Sequence, residues 1–231
     1  MDRFRAVFLL DIQKGLSFIF QTKQVLYYRC IMKNISRRSF LAVSAALAAA
    51  ALPATSSAAP ANVPVIWDGQ KMWDSFLKDG TGFSSPNGQG KPLALVAFDP
   101  QCPDCITLQK RIKPLEKYVH VIYYPISFLN IHSEPQATTM LISPDPYKVF
   151  EEQHEHFKDP DFRGIRYDIS KLPEEMRNKV WLNTKLHRRA GCRAVPYGVF
   201  KTPDGKYLPF DENLTTAELA QLFGIKDYKE E

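Results

Sequence analysis

Two cysteines separated by two residues carry the strongest chemical signal in the sequence. Cys102 and Cys105 enclose Pro103 and Asp104 in a Cys-Pro-Asp-Cys turn. This spacing lets the second sulfur reach the first within one turn of helix. Such a pair interconverts between dithiol and disulfide: the Cys102 thiolate attacks a substrate disulfide, and the Cys105 thiol resolves the mixed disulfide that forms. The reaction needs no cofactor.

Other uses of the same cysteine spacing have to be weighed. A structural zinc site needs a second pair of ligands, and the remaining candidates, Cys192 and His187, have the wrong spacing. A purely structural disulfide would close a very short loop and stabilise the fold weakly. We therefore predict redox chemistry and no metal ligand. An exported copper or zinc chaperone that uses the same two cysteines is the alternative.

The elements around the cysteine turn position it at a strand-to-helix junction. The continuous apolar run at residues 92–98 is typical of a strand that is covered on both faces. After the turn, apolar residues recur at helical spacing up to Leu115, and Pro114 should kink this helix. Residues 119–126 form a second β-type run, and so short a crossover predicts parallel strands. At the helix start, the dipole and free N–H groups favour a Cys102 thiolate.

The order of the remaining elements predicts the fold. We expect a helix at residues 70–78, a plain loop at 84–90, helices at 134–142, 147–157 and 172–190, a β-hairpin at 197–209 and a last helix that opens with a capping box. The order β-α-β, helical block, β-β-α is that of an α/β, thioredoxin-like fold. A helical insertion at about residues 134–190 separates its two halves. Residues 62–91 form an N-terminal helix and linker, and residues 92–231 form the catalytic domain.

The N-terminal region has the composition of an export signal. Arg37 and Arg38 precede an alanine-rich apolar run at 42–52 and small residues at 55–61. We interpret residues 32–61 as a signal peptide that resembles the twin-arginine type, cleaved after Ala58 or Ala61. Met32 is then the initiator, and residues 1–31 are a mis-assigned extension. The mature protein is expected in the periplasm without a membrane anchor.

Charge is unevenly distributed along the chain. Residues 1–61 carry the whole excess of basic side chains, whereas acidic and basic residues almost balance from Asn62 onward. A nucleic-acid-binding domain needs a basic face on its folded part. We therefore exclude nucleic acid as a partner.

A second motif, Ala194-Val195-Pro196-Tyr197, precedes the predicted hairpin. With it, the chain from about Gly69 onward resembles the catalytic domain of the DsbC/DsbG disulfide isomerases, DsbG most of all. The matching segments are residues 69–73, 98–105, 128–129, 143–146 and 183–197. The resemblance implies periplasmic thiol–disulfide exchange, as reductase or isomerase, with exported cysteine-containing proteins and a redox partner.

The resemblance also assigns roles to residues. It implies that Cys102 and Cys105 are catalytic, and that a cis bond between Val195 and Pro196 lies against them and presents backbone groups to substrate. Pro103 and Asp104 are expected to tune the site. Asp104 stands where the relatives have an aromatic residue, and its carboxylate disfavours a neighbouring thiolate. The pair should therefore be less oxidising.

The chain departs from these relatives before its catalytic domain. Only about 30 residues separate Ala61 from the first predicted strand, too few for the dimerisation domain of the isomerases. We therefore expect a monomer.

Five further side chains need an interpretation. Cys192 is a regulatory thiol, a third exchange partner or a half-buried small apolar residue. His154 and His156 lie on different faces of a helix and are interpreted as solvated polar residues rather than metal ligands. Trp73 and Phe76 should cover an edge of the domain.

Overall fold

The described part of the chain comprises residues 67–86, 88–160, 163–226 and 228–229 of a computed structural model. The predicted signal peptide and the extension before it lie outside these residues. The α-helices are α1 (Gly69–Asp79), α2 (Pro103–Ile112), α3 (Ser133–Ile142), α4 (Pro146–Glu155), α5 (Glu174–Arg189) and α6 (Thr216–Leu222). The strands are β1 (Phe83–Ser84), β2 (Leu93–Phe98), β3 (His120–Pro125), β4 (Tyr197–Lys201) and β5 (Tyr207–Phe210).

The five strands form one sheet in the order β1-β3-β2-β4-β5. β2 and β3 pair in parallel, as their short helical crossover predicted, and the other neighbours are antiparallel. The hairpin of β4 and β5 confirms the prediction from the Pro203-Asp204-Gly205 turn, in which Gly205 adopts a φ of 84°. The cysteine turn follows the carboxyl end of the central strand β2.

Strand β2 is covered on both faces because its side chains alternate between two cores. Val96 and Phe98 pack with residues of α2, α4 and α6 on one face of the sheet. Leu95 and Ala97 pack with residues of α1 and α5 on the other. This arrangement accounts for the continuous apolar run, since a strand in the middle layer has no solvent-facing side. The predicted α/β fold with helices between its two halves is confirmed.

The segment before β2 contributes more to the core than its sequence suggested. Trp73 and Phe76 of α1 are buried in the second core rather than covering an edge, because α1 packs on α5, β4 and β5. The interpretation of residues 84–90 as plain loop is wrong at its start, since Ser84 belongs to β1. There Phe83 pairs with Tyr123, and the two rings stack 5.8 Å apart.

Two helix ends differ from the predictions. Pro114 does not kink a continuing helix: α2 ends at Ile112, and residues Lys113–Leu115 form a 3₁₀ turn. This is expected for a residue without an N–H to donate. The third insertion helix begins at Glu174, after a separate 3₁₀ turn at Ile169–Lys171.

The capping box of α6 is present, with Thr215 and Glu218 bonded reciprocally. None of the helices in the described residues has the length and apolar character to cross a membrane.

Candidate active site

Cys102 is the N-cap residue of α2. Its backbone is extended, with φ −99° and ψ 117°, and its sulfur accepts a hydrogen bond from the Cys105 N–H at 3.3 Å. Pro103 occupies the first helical position, where its missing N–H costs nothing and its fixed φ suits the helix. The Cys102 sulfur therefore lies where free amides and the helix dipole stabilise negative charge.

The two sulfurs differ in their surroundings. Cys102 and Cys105 are each 3% exposed, whereas Pro103 and Asp104 between them face solvent. Burial raises the pKa of the Cys105 thiol well above its ordinary value, and the hydrogen bond and charge of Cys102 raise it further. The protonated form of Cys105 is therefore favoured. This asymmetry matches an attacking and a resolving cysteine.

The proline loop before β4 closes over the cysteine turn. The Val195–Pro196 peptide bond is cis, and the Val195 carbonyl oxygen lies 3.4 Å from the Cys102 sulfur. Val195 is half-buried and Pro196 is buried. The structure thus brings together the predicted residues from two motifs that lie far apart in the sequence. The Val195 main chain therefore lies directly beside the Cys102 sulfur.

Asp99 was not singled out from the sequence, yet it organises the start of the site. Its buried carboxylate accepts hydrogen bonds from the N–H groups of Gln101, Phe128 and Leu129 at 2.7–2.9 Å, and its carbonyl accepts one from Cys102. Burial raises the pKa of Asp99, while these bonds oppose the shift. Asp99 ties the end of β2 to the loop after β3. An aspartate after an apolar strand and before a proline is the signal that could have found it.

A buried amide network joins the cysteine turn to the helical insertion. The Gln101 side chain donates to Gln136 on α3 and to the Arg163 carbonyl, both at 2.6 Å. Gln153 on α4 donates to the Pro100 carbonyl at 2.8 Å and to Gln136 at 3.1 Å. Because Gln101 precedes Cys102, the insertion holds the backbone that leads into the reactive cysteine. Sequence periodicity alone carries no signal for this network.

His187 of α5 forms a hydrogen bond to the proline loop. It is fully buried on α5, and its Nε2 lies 2.9 Å from the Ala194 carbonyl oxygen, so Nε2 carries the proton. Its Nδ1 has no hydrogen-bond partner among the described residues. Burial lowers the pKa of His187 to about 4. A neutral imidazole thus positions the residue before Val195.

Asp104 lies in the first turn of α2, beside the loop after β5. Burial raises the pKa of Glu212 in that loop, and the negative charges of Asp211 and then Asp104 raise it further. Arg111 of α2 donates to the main-chain carbonyl oxygens of Glu212 and Leu214. The exposed side of the turn therefore carries acidic side chains. This is the electrostatic setting of the predicted tuning residue.

Two side chains lie in surroundings other than those expected. Cys192 is fully buried rather than half-buried, its sulfur lies 4.0 Å from that of Met72, and burial raises its pKa to about 12. His154 is half-buried rather than solvated. It packs edge-on against Phe150 with ring centroids 4.4 Å apart. Burial, together with the positive charges of Lys110 and Lys113, lowers its pKa to about 4. In the described ranges, no group of three or more His, Cys, Asp or Glu side chains could hold a metal ion.

The fold agrees with that of known proteins. A family model described as a thioredoxin-like domain matches residues 84–220, so the chain belongs to the thioredoxin-like domain family. No curated protein matches the chain.

Solved structures share the fold at low sequence identity. Proteus mirabilis ScsC in a compact conformation is 18% identical, with a TM-score of 0.52, over 88% of this chain and 96% of that one. A thioredoxin-like oxidoreductase from Silicibacter pomeroyi is 17% identical, with a TM-score of 0.50, over 64% and 93%. Helicobacter pylori DsbG is 19% identical with a TM-score of 0.43 over 56% of this chain, and the match spans 59% of the DsbG chain.

Proposed function

We propose that this protein is an exported thiol:disulfide oxidoreductase that exchanges disulfides with protein substrates, in the manner of a DsbG-like reductase or isomerase. The observation that carries the proposal is the position of the Cys102 sulfur. It caps α2, accepts from the Cys105 N–H and lies 3.4 Å from the Val195 carbonyl oxygen. The start of α2 and the Cys105 N–H face this sulfur, and an extended backbone segment lies beside it.

The exchange runs in two steps. The Cys102 thiolate attacks one sulfur of a substrate disulfide, a Cys102–substrate disulfide forms, and the other substrate sulfur leaves as a thiolate. Cys105 then loses its proton and attacks the Cys102 sulfur. The substrate leaves as a dithiol, and Cys102 and Cys105 are joined. Two electrons pass from the protein to the substrate, and a dithiol partner restores the reduced pair.

Trapping of the intermediate tests this proposal. A Cys105→Ser variant, expressed in the native host, should accumulate mixed disulfides with substrate proteins, because the step that releases the substrate is missing. A reductant should separate these complexes. Cys102→Ser, which lacks the attacking sulfur, is the matched control. The proposal is wrong if Cys105→Ser traps no protein, or if Cys102→Ser traps the same ones.

The proposed compartment is the periplasm, on the basis of the Arg37-Arg38 pair and the apolar run after it. Fractionation of cells, with the mass of the mature chain, tests this assignment. We expect a periplasmic protein that begins after Ala58 or Ala61. A full-length protein that stays in the cytoplasm would contradict it.

A further inference from the structure

A groove lies directly beside the cysteine turn, between α2 and the segment that follows α4. Its volume is about 640 Å³, and it begins at Pro103, the residue after Cys102. Along α2 the groove continues past Thr107 to Lys110. Pro103, Thr107 and Lys110 lie on one face of the helix because they are four and three residues apart. Its opposite wall is formed by residues 157–160 and by Arg163.

The groove has a fixed position relative to Cys102. The Arg163 carbonyl, on the far wall, accepts hydrogen bonds from Gln101 and Gln136. Phe157 is 8% exposed, and the Arg163 guanidinium lies over its ring at 5.8 Å. The far wall is therefore held to the residue before Cys102 and to α3.

Among the described residues that line the groove, the charged side chains are mostly positive. Lys110, Lys158 and Arg163 are exposed there, and within the described part of the chain none of the three forms an ion pair. Asp159 supplies the opposing carboxylate, which is paired with His156 at 3.0 Å. Unpaired cations beside a reactive sulfur attract acidic groups and favour encounter with acidic partners.

We propose that this groove binds an acidic segment of the protein substrate, next to the cysteine that Cys102 attacks. The inference rests on the proposed function and adds a preference to it. Lys110 lies seven residues after Pro103, about 10 Å along the helix, which an extended peptide spans in about three residues. The preferred substrate carries Asp or Glu about three residues from its cysteine.

Peptides with one cysteine, activated as the mixed disulfide with 2-thiopyridine, test the preference. Cys102 attacks the peptide sulfur, and the thiopyridone that leaves is followed by absorbance. Three versions of the peptide are compared. At positions two to four residues from the cysteine they carry Asp and Glu, Lys only, or Ser only. With the reduced protein, we expect the acidic peptide to react about threefold to tenfold faster than the lysine peptide, and added salt to reduce this ratio.

The variants assign the preference to the groove. Lys110→Gln combined with Lys158→Gln should bring the acidic-to-lysine ratio close to one, whereas the matched control Lys71→Gln, on α1, should keep the wild-type ratio. The groove proposal is overturned if wild type shows no preference, or if the double variant keeps it. If even the serine peptide fails to react with wild type, the proposed function itself is wrong.

Discussion

The sulfur of Cys102 lies 3.4 Å from the Val195 carbonyl oxygen, although 93 positions separate the two residues in the sequence. This contact joins the start of α2 to the proline loop before β4. It leaves the Cys102 sulfur between a helix N-terminus and an extended piece of backbone. The chemistry of the site therefore depends on α2, on the loop and on the groups that hold both in place.

The carboxylate of Asp104 should lower the oxidising power of the cysteine pair. Asp104→His removes a negative charge in the first turn of α2 and so favours the Cys102 thiolate, which stabilises the reduced form. We expect the potential to rise by on the order of 30 mV, about tenfold in the equilibrium constant. Equilibration with glutathione measures this change. Asp74→Asn, on exposed α1 surface, is the control, and an unchanged or more negative potential for Asp104→His contradicts the prediction.

Cys192 should be inert in the folded protein. It is fully buried, and burial raises its pKa to about 12, so almost no thiolate forms near neutral pH. Iodoacetamide followed by peptide mass analysis should leave Cys192 unmodified in the native protein and modify it fully in urea. A regulatory thiol or a third exchange partner, the other interpretations of this residue, would react in the native state.

Stability should fall below neutral pH because His187 is buried in its neutral form. Its pKa is lowered from 6.5 to about 4 in the folded protein, so between these values the unfolded chain binds a proton that the folded protein does not. The free energy of unfolding therefore falls from pH 6.5 to about pH 4, by about 2 kcal/mol between pH 7 and pH 5 from this residue.

Urea unfolding of wild type and His187→Gln at both pH values measures this contribution. The glutamine retains a donor for the Ala194 carbonyl oxygen but does not titrate. The variant should lose about 2 kcal/mol less than wild type on acidification. Equal losses would show that His187 does not set this pH dependence.

The buried carboxylate of Glu116 depends on two tyrosine hydroxyls. It accepts hydrogen bonds from Tyr123 at 2.7 Å and from Tyr147 at 2.6 Å, while burial raises its pKa. Tyr123→Phe removes one donor and leaves part of the charge unsatisfied, so we expect a loss of about 1–3 kcal/mol in the free energy of unfolding. The exposed Tyr118→Phe should change it by less than about 0.5 kcal/mol. Urea unfolding compares the two, and equal effects would contradict the account.

Several features followed from the sequence because their causes are local. The apolar run of β2, the Pro203-Asp204-Gly205 turn and the capping box of α6 each act within a few residues, and the strand, the hairpin and the start of α6 were found where predicted. The position of the cysteine turn at a strand-to-helix junction belongs to the same class. The two-residue strand β1 was missed because it is defined by its pairing with β3 and is too short to show an alternating pattern of its own.

The remainder of the site was decided by tertiary structure. The sequence by itself determined which residues could exchange disulfides and where the reactive cysteine stands on its helix. It carried no signal for Gln101 meeting Gln136, for His187 beneath Ala194, or for the basic groove beside Pro103. These arrangements join residues from separate elements. Their energies come from burial and from hydrogen bonds that exist only once the helices of the insertion pack against the sheet.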